Sequence, residues 1–320
     1  MKSWVRDYLF SIVVGLVLPG VLLLGALAFS ANKRYYPDVP PETTVETAAA
    51  VSLPALVRLG QEAPVSMDMD CYLLGVLLGE MPAEFEPEAL MAQAVAARTF
   101  TRKAWETGGK HGDGSVCDDP ACCQAYLSPE AYLSQGGREA AVEKFRAAVN
   151  GTSGYVLCYD GKLIEATYFS SSGGFTEDAA AVWGGEFPYL KAVSSPEEVR
   201  EETVSYSYPA LESLLGVNTA GDSDIQITRT AGMGVDQARL WGVSFSGTQL
   251  RKTLGLRSTY FTVQDTGSAL EITTRGFGHR VGMSQYGADA MAASGSSWRE
   301  ILTHYYPGTE LVRLEPEANQ

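Results

Sequence analysis

Apolar residues follow several patterns along the chain, and the first is an unbroken run. Residues 8–31, YLFSIVVGLVLPGVLLLGALAFSA, contain no charged side chain. Because a helix rises about 1.5 Å per residue, such a run can cross a hydrocarbon core of about 30 Å. The run is longer than the apolar region of a cleaved signal peptide, although residues 27–31 weakly resemble a cleavage site. We therefore predict an uncleaved single-pass membrane anchor over residues 1–31, with the rest of the chain outside the cytoplasm.

A segment without a regular apolar period follows the anchor. Residues 35–64 contain five prolines and several threonines. This composition predicts a spacer over residues 32–64 that holds the body away from the bilayer. The alternative is that residues 51–59 already form a strand or two of the body.

Helical patterns begin near residue 67. The stretch DMDCYLLGVLLGE predicts a helix capped by Asp68 or Asp70, and Pro82 requires this helix to end near Glu80. A longer helix is predicted from Pro87 to a glycine pair, because proline suits the first helical position and glycine the C-terminal cap. A third helix is predicted over SPEAYLSQGGREAAVEKFRAAVNGTSG, divided in two by its own glycine pair.

Strand patterns dominate the later part of the chain. YVLCYDGKLIEATYF predicts a hairpin with Asp-Gly at its turn. PYLKAV, VSYSYP, DIQITRT, ARLWGVSFSG, STYFTVQD and ALEITTRG predict further strands, and SQYGADAMAASG predicts the last helix. With helices early and strands late, the fold class is α+β. We assign the folded body to residues 65–314 and a short tail to residues 315–320.

The charge of the chain narrows its possible partners. Its formal net charge is −14 and its sequence pI is about 4.7. Nucleic acid is therefore excluded as an expected partner, because phosphate binding depends mainly on lysine and arginine.

Glu80 is the first residue with candidate chemistry, in the stretch LLGEMPAEF. The negative end of the helix dipole disfavours a carboxylate at a helix C-terminus, and apolar neighbours add a desolvation cost. Both effects raise the pKa of the carboxyl group, as a general acid working near neutral pH requires. A solvated glutamate at a helix end is the common alternative.

A cluster of metal-ligand residue types lies in KHGDGSVCDDPACCQAY. It contains His111, Cys117, Cys122 and Cys123, which can close a tetrahedral zinc site. A disulfide is the competing interpretation, because a protein outside the cytoplasm meets oxidants. Adjacent Cys122 and Cys123 can pair with each other only under strain, whereas Cys117 could pair with either. We favour zinc.

Two glycine-rich stretches complete the candidate chemistry. TTRGFGHRVGMSQYGA, residues 273–288, lacks the lysine of a P-loop and the spacing of a dinucleotide fingerprint. Its glycines predict sharply bent backbone around His279. TYFSSSGGFTEDAAAVWGGEFPYLKAV, residues 167–193, mixes aromatic and small polar residues, which hold sugar rings by stacking and hydrogen bonds. A loop with core aromatics is the alternative for this stretch.

Taken in order, several stretches resemble the stage II sporulation protein D family, the peptidoglycan lytic transglycosylases of endospore-forming bacteria. They are LLGEMP, AVAARTF, CQAY, SSSGG, VWGG, PYLKAV, SGTQLRKTLGLRSTYF and GFGHRVGMSQYGA. The resemblance covers residues 67–314. It implies a single N-terminal membrane anchor. It also implies cleavage of the glycan between N-acetylmuramic acid and N-acetylglucosamine without water, which leaves a 1,6-anhydro end.

The resemblance also implies residue roles. By motif match, Glu80 is the single acid and base. A glycosidase normally needs two carboxylates, but here the substrate's own 6-hydroxyl replaces water, so that one suffices. Roles in binding glycan or stabilising charge are implied for Arg98, Ser171, Ser172, Gly173, Tyr189, Lys191, His279, Ser284, Gln285 and Tyr286. The histidine and cysteine cluster resembles the structural zinc site of the family.

Two positions depart from the family pattern. Cys122 and Cys123 stand where the pattern has histidine and cysteine, which adds a negative charge to the zinc site. Arg280 stands where the family usually has glycine. Because a bulky side chain disfavours left-handed backbone, we expect no left-handed conformation at Arg280, and we expect its cation beside His279.

Partners and location follow from the resemblance alone. It implies glycan strands stripped of stem peptides, an amidase and a membrane partner in one complex, and a mother-cell membrane location facing the forespore. Two other functions stay open. One is a zinc-dependent wall amidase or peptidase, which would need an open metal position. The other is a wall-binding scaffold without enzymatic activity.

Overall fold

The computed structural model describes residues 54–60, 62–221 and 224–314. The predicted anchor over residues 1–31 and the predicted tail over residues 315–320 lie outside the described residues. Within the described ranges, no helix has both the length and the apolar content needed to cross a bilayer.

Helices and strands are interspersed along the described residues. The helices are α1 (Met69–Glu80), α2 (Pro87–Thr107), α3 (Pro129–Ser134), α4 (Glu139–Gly151), α5 (Ala179–Trp183), α6 (Tyr208–Leu215), α7 (Gly247–Leu254), α8 (Gln285–Ala293) and α9 (Trp298–Tyr305). The strands are β1 (Pro54–Arg58), β2 (Val65–Asp68), β3 (Val116–Cys117), β4 (Tyr155–Tyr159), β5 (Lys162–Leu163), β6 (Tyr168–Phe169), β7 (Glu201–Ser207), β8 (Gln226–Arg229), β9 (Val235–Leu240), β10 (Val243–Ser246), β11 (Phe261–Asp265), β12 (Ala269–Arg275), β13 (Met283–Ser284) and β14 (Glu310–Arg313).

The strands form small, mainly antiparallel sheets. β12 lies between β7 and β11, β9 between β8 and β10, and β4 between β5 and β14, all with antiparallel pairing. β1 pairs antiparallel with β2 and parallel with β3, and β6 pairs parallel with β13. The α+β class predicted from the sequence is therefore confirmed for the body.

The helix ends follow the predicted local signals. Asp68 caps α1, and its side chain accepts a hydrogen bond from the backbone N–H of Cys71 at 2.8 Å. Gly108 ends α2 with a φ of 86°, a left-handed conformation that glycine adopts without a Cβ clash. The predicted division of the third helix into two pieces is also confirmed, as α3 and α4.

Three sequence expectations need correction. Residues 188–193, PYLKAV, form no strand, because Tyr189 and Leu190 instead pack into an apolar core. The segment VSYSYP ends in α6 rather than in strand, since Pro209 occupies the first turn of that helix. The sequence analysis did not predict α9. A capping box formed by Ser297 and Glu300 is a signal that could have identified this helix.

Part of the predicted spacer belongs to the folded body. β1 lies within residues 32–64, and the side chains of Ala55 and Val57 are fully buried. The alternative stated for residues 51–59 therefore agrees with the structure at β1.

The long helix α2 is buried on two sides. Leu90, Ala94 and Ala97 pack into a core with α1 and α4. The intervening residues Ala92 and Val95 pack into a second core, which also contains residues of α8, α9 and β4. Alanine on both faces lets the neighbouring elements approach closely. A third core joins β9, β11 and β12 to α6 and α7.

Candidate active site

Glu80 lies at the C-terminal end of α1 and lines a cleft of about 860 Å³. Its Oε1 accepts a hydrogen bond from the backbone N–H of Ala125 at 2.7 Å. Its Oε2 accepts one from Nε2 of Gln285 at 3.3 Å. Burial raises the pKa of Glu80, while these two hydrogen bonds oppose the rise. The predicted direction of the pKa shift is confirmed, with burial as the main cause.

Aromatic rings make up much of the cleft lining. The rings belong to Phe100, Tyr168, Phe169, Trp183, Phe187 and Phe277, and the other charged or ionisable residues are Glu80, Lys110, Cys122, Cys123, Glu165, Arg251 and His279. Trp183 and Phe277 are each 46% exposed, so part of each ring is accessible to a ligand. Exposed rings with a few polar groups suit a sugar chain. Most of these aromatics come from residues 167–193, the stretch predicted to hold sugar rings.

Gln124 fixes the backbone beside Glu80. Its buried Nε2 donates hydrogen bonds to the hydroxyl of Tyr72 at 3.1 Å and to Oγ1 of Thr101 at 3.0 Å. Its Oε1 accepts a hydrogen bond from the hydroxyl of Tyr168 at 2.8 Å. Because all these groups are paired, the next residue, Ala125, presents its N–H to Glu80 in a fixed position.

The predicted metal ligands come together immediately before this segment. The ligand atoms of His111, Cys117, Cys122 and Cys123 all lie within 4.8 Å of one another. Nε2 of His111 is 3.8 Å from Sγ of Cys122 and 3.6 Å from Sγ of Cys123, and the two sulfurs are 3.8 Å apart. Ligands at about 2.0–2.3 Å from a tetrahedral zinc ion would be separated by similar distances. The competing disulfide is not formed, because all five cysteines are free.

In the glycine-rich stretch 273–288, the backbone conformation of Arg280 is the opposite of the one expected. Its φ is +67°, so the left-handed conformation that we did not expect there is present. The side chain is fully buried, and it donates hydrogen bonds to the carbonyls of Ser172 at 2.9 Å and Phe175 at 2.7 Å. Glu177 lies 3.6 Å from it. These contacts compensate for the backbone strain, and they hold the cation inside the protein.

His279 is a neutral ring in the cleft lining. Its Nδ1 accepts a hydrogen bond from the backbone N–H of Val281 at 3.1 Å. The rings of Phe169 and Trp183 lie 5.6 and 5.3 Å from it, centroid to centroid. Burial, together with the charge of Arg251, lowers the pKa of His279 to about 4.

The prediction of a glycan contact is wrong for Arg98. This side chain is fully buried. It donates hydrogen bonds to the carbonyls of Thr152 at 2.7 Å and Val149 at 3.2 Å, and to the carboxylate of Asp70 at 3.0 Å. Arg98 therefore ties α2 to α1 and α4, and it does not reach the cleft.

The predicted serine contacts are also wrong, because these side chains lie behind the cleft. Ser171 and Ser172 are at most 3% exposed, and Ser284 is fully buried. Ser171 is bridged through its backbone to Phe277. Ser284 donates a hydrogen bond to Glu197 at 2.9 Å and caps α8.

Gly173 allows its backbone to approach Arg275 closely. A Cβ at this position would lie 2.8 Å from Cβ of Arg275, and its φ is +75°. Glycine is therefore required there by close approach as well as by backbone conformation.

Two further predicted residues, Gln285 and Tyr286, lie in the first turn of α8. Gln285 contacts Glu80 directly. The ring of Tyr286 lies under the guanidinium of Arg200, 4.3 Å from its centroid.

The PYLKAV residues do not line the cleft. The hydroxyl of Tyr189 accepts a hydrogen bond from the backbone of Glu165 at 3.1 Å. Nζ of Lys191 is 3.5 Å from Asp178.

Arg251 and Lys110 were not predicted as site residues. Arg251 lies in SGTQLRKTLGLRSTYF, in the last turn of α7, where only the tertiary fold brings it to the cleft. Lys110 directly precedes the ligand His111 and donates a hydrogen bond to the carbonyl of Cys122. Its position directly before His111 is the sequence signal that could have identified it.

Comparisons with known proteins find several relatives of this chain. A family model described as Stage II sporulation protein matches residues 60–159. Stage II sporulation protein D of Bacillus amyloliquefaciens is 41% identical over 275 residues, which cover 83% of this chain and 80% of that protein. Its counterpart in Bacillus subtilis (strain 168) is 35% identical over 336 residues, which cover 97% and 98%. The amidase enhancer of Bacillus subtilis is 30% identical over 300 residues, 75% of this chain and 40% of that protein.

Proposed function

This chain belongs to the stage II sporulation protein D family, and on that premise we propose that it is a peptidoglycan lytic transglycosylase. It cleaves the bond between N-acetylmuramic acid and N-acetylglucosamine and leaves a 1,6-anhydro end. The observation that carries the proposal is one glutamate with a raised pKa, held by two hydrogen bonds in an aromatic cleft.

Glu80 supplies both proton transfers in this scheme. Its carboxylic acid protonates the bridging oxygen as the bond from that oxygen to C1 breaks. The resulting carboxylate then takes the proton of the 6-hydroxyl, and the 6-oxygen bonds to C1. The acid is regenerated, and no water is consumed. Ala125 and Gln285 hold the two carboxyl oxygens in position throughout.

A glycan hydrolase is the second candidate, because Glu165 also lines the cleft. Two carboxylates are what hydrolysis with water normally requires. However, the carboxylate of Glu165 pairs with Nζ of Lys103 at 3.0 Å. We propose that this pair keeps Glu165 outside the chemistry.

Mass spectrometry of the products from peptide-free glycan separates these candidates. Anhydro ends are lighter by one water than hydrolytic ends. Wild type and Glu165→Gln should both release anhydro ends, and Glu80→Gln should release them at least about 100-fold more slowly. Undiminished release by Glu80→Gln would remove Glu80 as the acid. Reducing ends that require Glu165 would establish hydrolysis.

We also propose that the histidine and cysteine cluster binds a structural zinc ion. His111, Cys117, Cys122 and Cys123 would fill all four positions of a tetrahedral ion. Zinc would therefore cross-link the segment that leads to Ala125. A zinc-dependent amidase or peptidase needs an open metal position, so the closed ligand set disfavours that alternative.

The cellular setting is proposed from the family and from the sequence. The protein acts during sporulation as a single-pass membrane protein, with its body in the space between mother cell and forespore. A relative named amidase enhancer supports a partner amidase that removes stem peptides. The scaffold alternative predicts that the wild-type protein retains glycan strands without ever shortening them.

A further inference from the structure

A second cavity opens beside the cleft. It has a volume of about 420 Å³ and shares Arg251 and His279 with the cleft that contains Glu80. Its other lining residues are Val182, Thr248, Lys252, Gly255, Leu256 and Thr259. Arg251 can therefore be reached both from the cleft and from this cavity.

The second cavity is positively charged. Arg251 and Lys252 are cations, and no carboxylate is among the described residues that line the cavity. His279 adds no charge at neutral pH, because its pKa is about 4. In a chain with a net charge of −14, such a recess favours an anionic group over the rest of the surface.

Arg251 has no internal partner for its charge. Across the described residues, no side chain forms a salt bridge with it, and its buried Nε has no hydrogen-bond acceptor. Arg98 and Arg280, the two fully buried arginines, each also leave one guanidinium nitrogen without an acceptor, but their other nitrogens are held by carbonyls and their charges are paired with Asp70 or Glu177. A partly buried guanidinium without an acceptor costs free energy that a bound anion would recover.

The position of Arg251 in its helix does not account for this geometry. Cations are favoured in the last turn of a helix, where Arg251 and Lys252 lie. An arginine whose side chain extended into solvent would satisfy that preference equally well. The preference gives no reason for the guanidinium to be partly buried without any described carboxylate or carbonyl to hold it.

We propose that Arg251 binds the lactyl carboxylate of N-acetylmuramic acid and so selects glycan from which the stem peptide has been removed. This inference rests on the proposed function. A guanidinium forms paired hydrogen bonds with a carboxylate. When a stem peptide is attached, the lactyl group is an amide and carries no charge. Trp183 and Arg251 both line the cleft, so a sugar stacked on Trp183 would occupy the same cleft as the guanidinium.

Stem peptides also carry carboxylates. The probes therefore have to distinguish a peptide carboxylate from the lactyl carboxylate. Calorimetric titration is carried out in the Glu80→Gln background, which slows turnover. The probes are three oligosaccharides of equal length: peptide-free glycan, glycan with stem peptides, and chitooligosaccharide, which has no lactyl group. Arg251→Gln is compared with Arg146→Gln, whose exposed arginine lies on α4 and lines neither of these cavities.

Arg251→Gln should weaken binding of peptide-free glycan by about 10- to 100-fold, as expected for a lost hydrogen bond to a charged group. Binding of chitooligosaccharide should change by less than about twofold, because it offers no carboxylate. Arg251→Lys should recover part of the loss, and Arg146→Gln should bind every probe as the background does. Circular dichroism verifies that each variant is folded.

Two results would overturn the inference while leaving the proposed function intact. One is an equal loss, or no loss, for peptide-free glycan and chitooligosaccharide in a protein that still cleaves glycan. The other is a loss confined to glycan with stem peptides, which would assign Arg251 to a peptide carboxylate. If the Glu80→Gln background binds none of the probes and wild type releases no anhydro ends, the proposed function itself fails.

Discussion

The cleft contains two regions whose polar groups are paired in different ways. Around Glu80, each carboxyl oxygen has a donor, and Gln124 behind it has three partners. Around Arg251, the guanidinium has no acceptor among the described residues, and the ring of Trp183 is nearly half exposed. A group that transfers a proton needs a fixed position before substrate arrives. A group that recognises substrate must keep its hydrogen-bonding capacity for the ligand.

The largest effect should come from Glu80→Gln. Loss of the acid should lower kcat by about 10²- to 10⁴-fold, the usual contribution of general acid–base catalysis. KM should change little, because the amide occupies nearly the same space as the carboxyl group. Steady-state kinetics on peptide-free glycan measure both quantities. A large rise in KM at unchanged kcat would instead make Glu80 a binding residue.

Arg98→Met should destabilise the fold without changing substrate binding. It removes the cation that pairs with Asp70 and one donor to the carbonyls of Thr152 and Val149, and removal of one partner of a buried ion pair costs about 3–5 kcal/mol. Denaturant unfolding measures this loss, and Arg146→Gln, an exposed pair, should cost less than about 1 kcal/mol. Full stability with a raised KM would restore the glycan-binding role predicted from the sequence.

Removal of metal should loosen the region around Glu80 more than the region around Arg251. A metal present at a thousand times its Kd stabilises a fold by about 4 kcal/mol. Chelation should therefore lower Tm by about 10 °C for a body of this size. Calorimetry with and without added zinc measures the shift. Protein that contains no metal and a disulfide at Cys117 would contradict the zinc site.

The pH profile should depend on the donors to Glu80. Burial raises the pKa of this acid, so activity should fall as pH rises through that raised value and the proton is lost. The hydrogen bond from Gln285 lowers the same pKa. Gln285→Leu should therefore move the alkaline limb of kcat to higher pH. A limb that moves to lower pH would show that this hydrogen bond does not act on the acid.

Local sequence signals were sufficient to predict those features of the structure that a single segment determines. Asp68, Pro82 and Gly108 set the ends of α1 and α2, and the short spacing of the cysteines brought the metal ligands together. The predicted end of the helix at Glu80 also agrees with the structure.

Long-range packing decided what the sequence did not show. Arg98 is an arginine on an alanine-rich helix, and only the approach of α4 surrounds it with carbonyls. Arg280 tolerates a left-handed backbone because distant carbonyls hold its side chain. Arg251 reaches the cleft through the packing of α7, which no local pattern specifies.

The central claim is that Glu80 cuts glycan without water, and the oxygen of the solvent tests it most directly. Peptide-free glycan is digested in water enriched in heavy oxygen, and the new ends are weighed by mass spectrometry. Cleavage by the 6-hydroxyl predicts anhydro ends that contain no solvent oxygen, with Glu165→Gln giving the same product as wild type. Heavy oxygen at the newly formed ends would contradict the account and would identify the protein as a hydrolase.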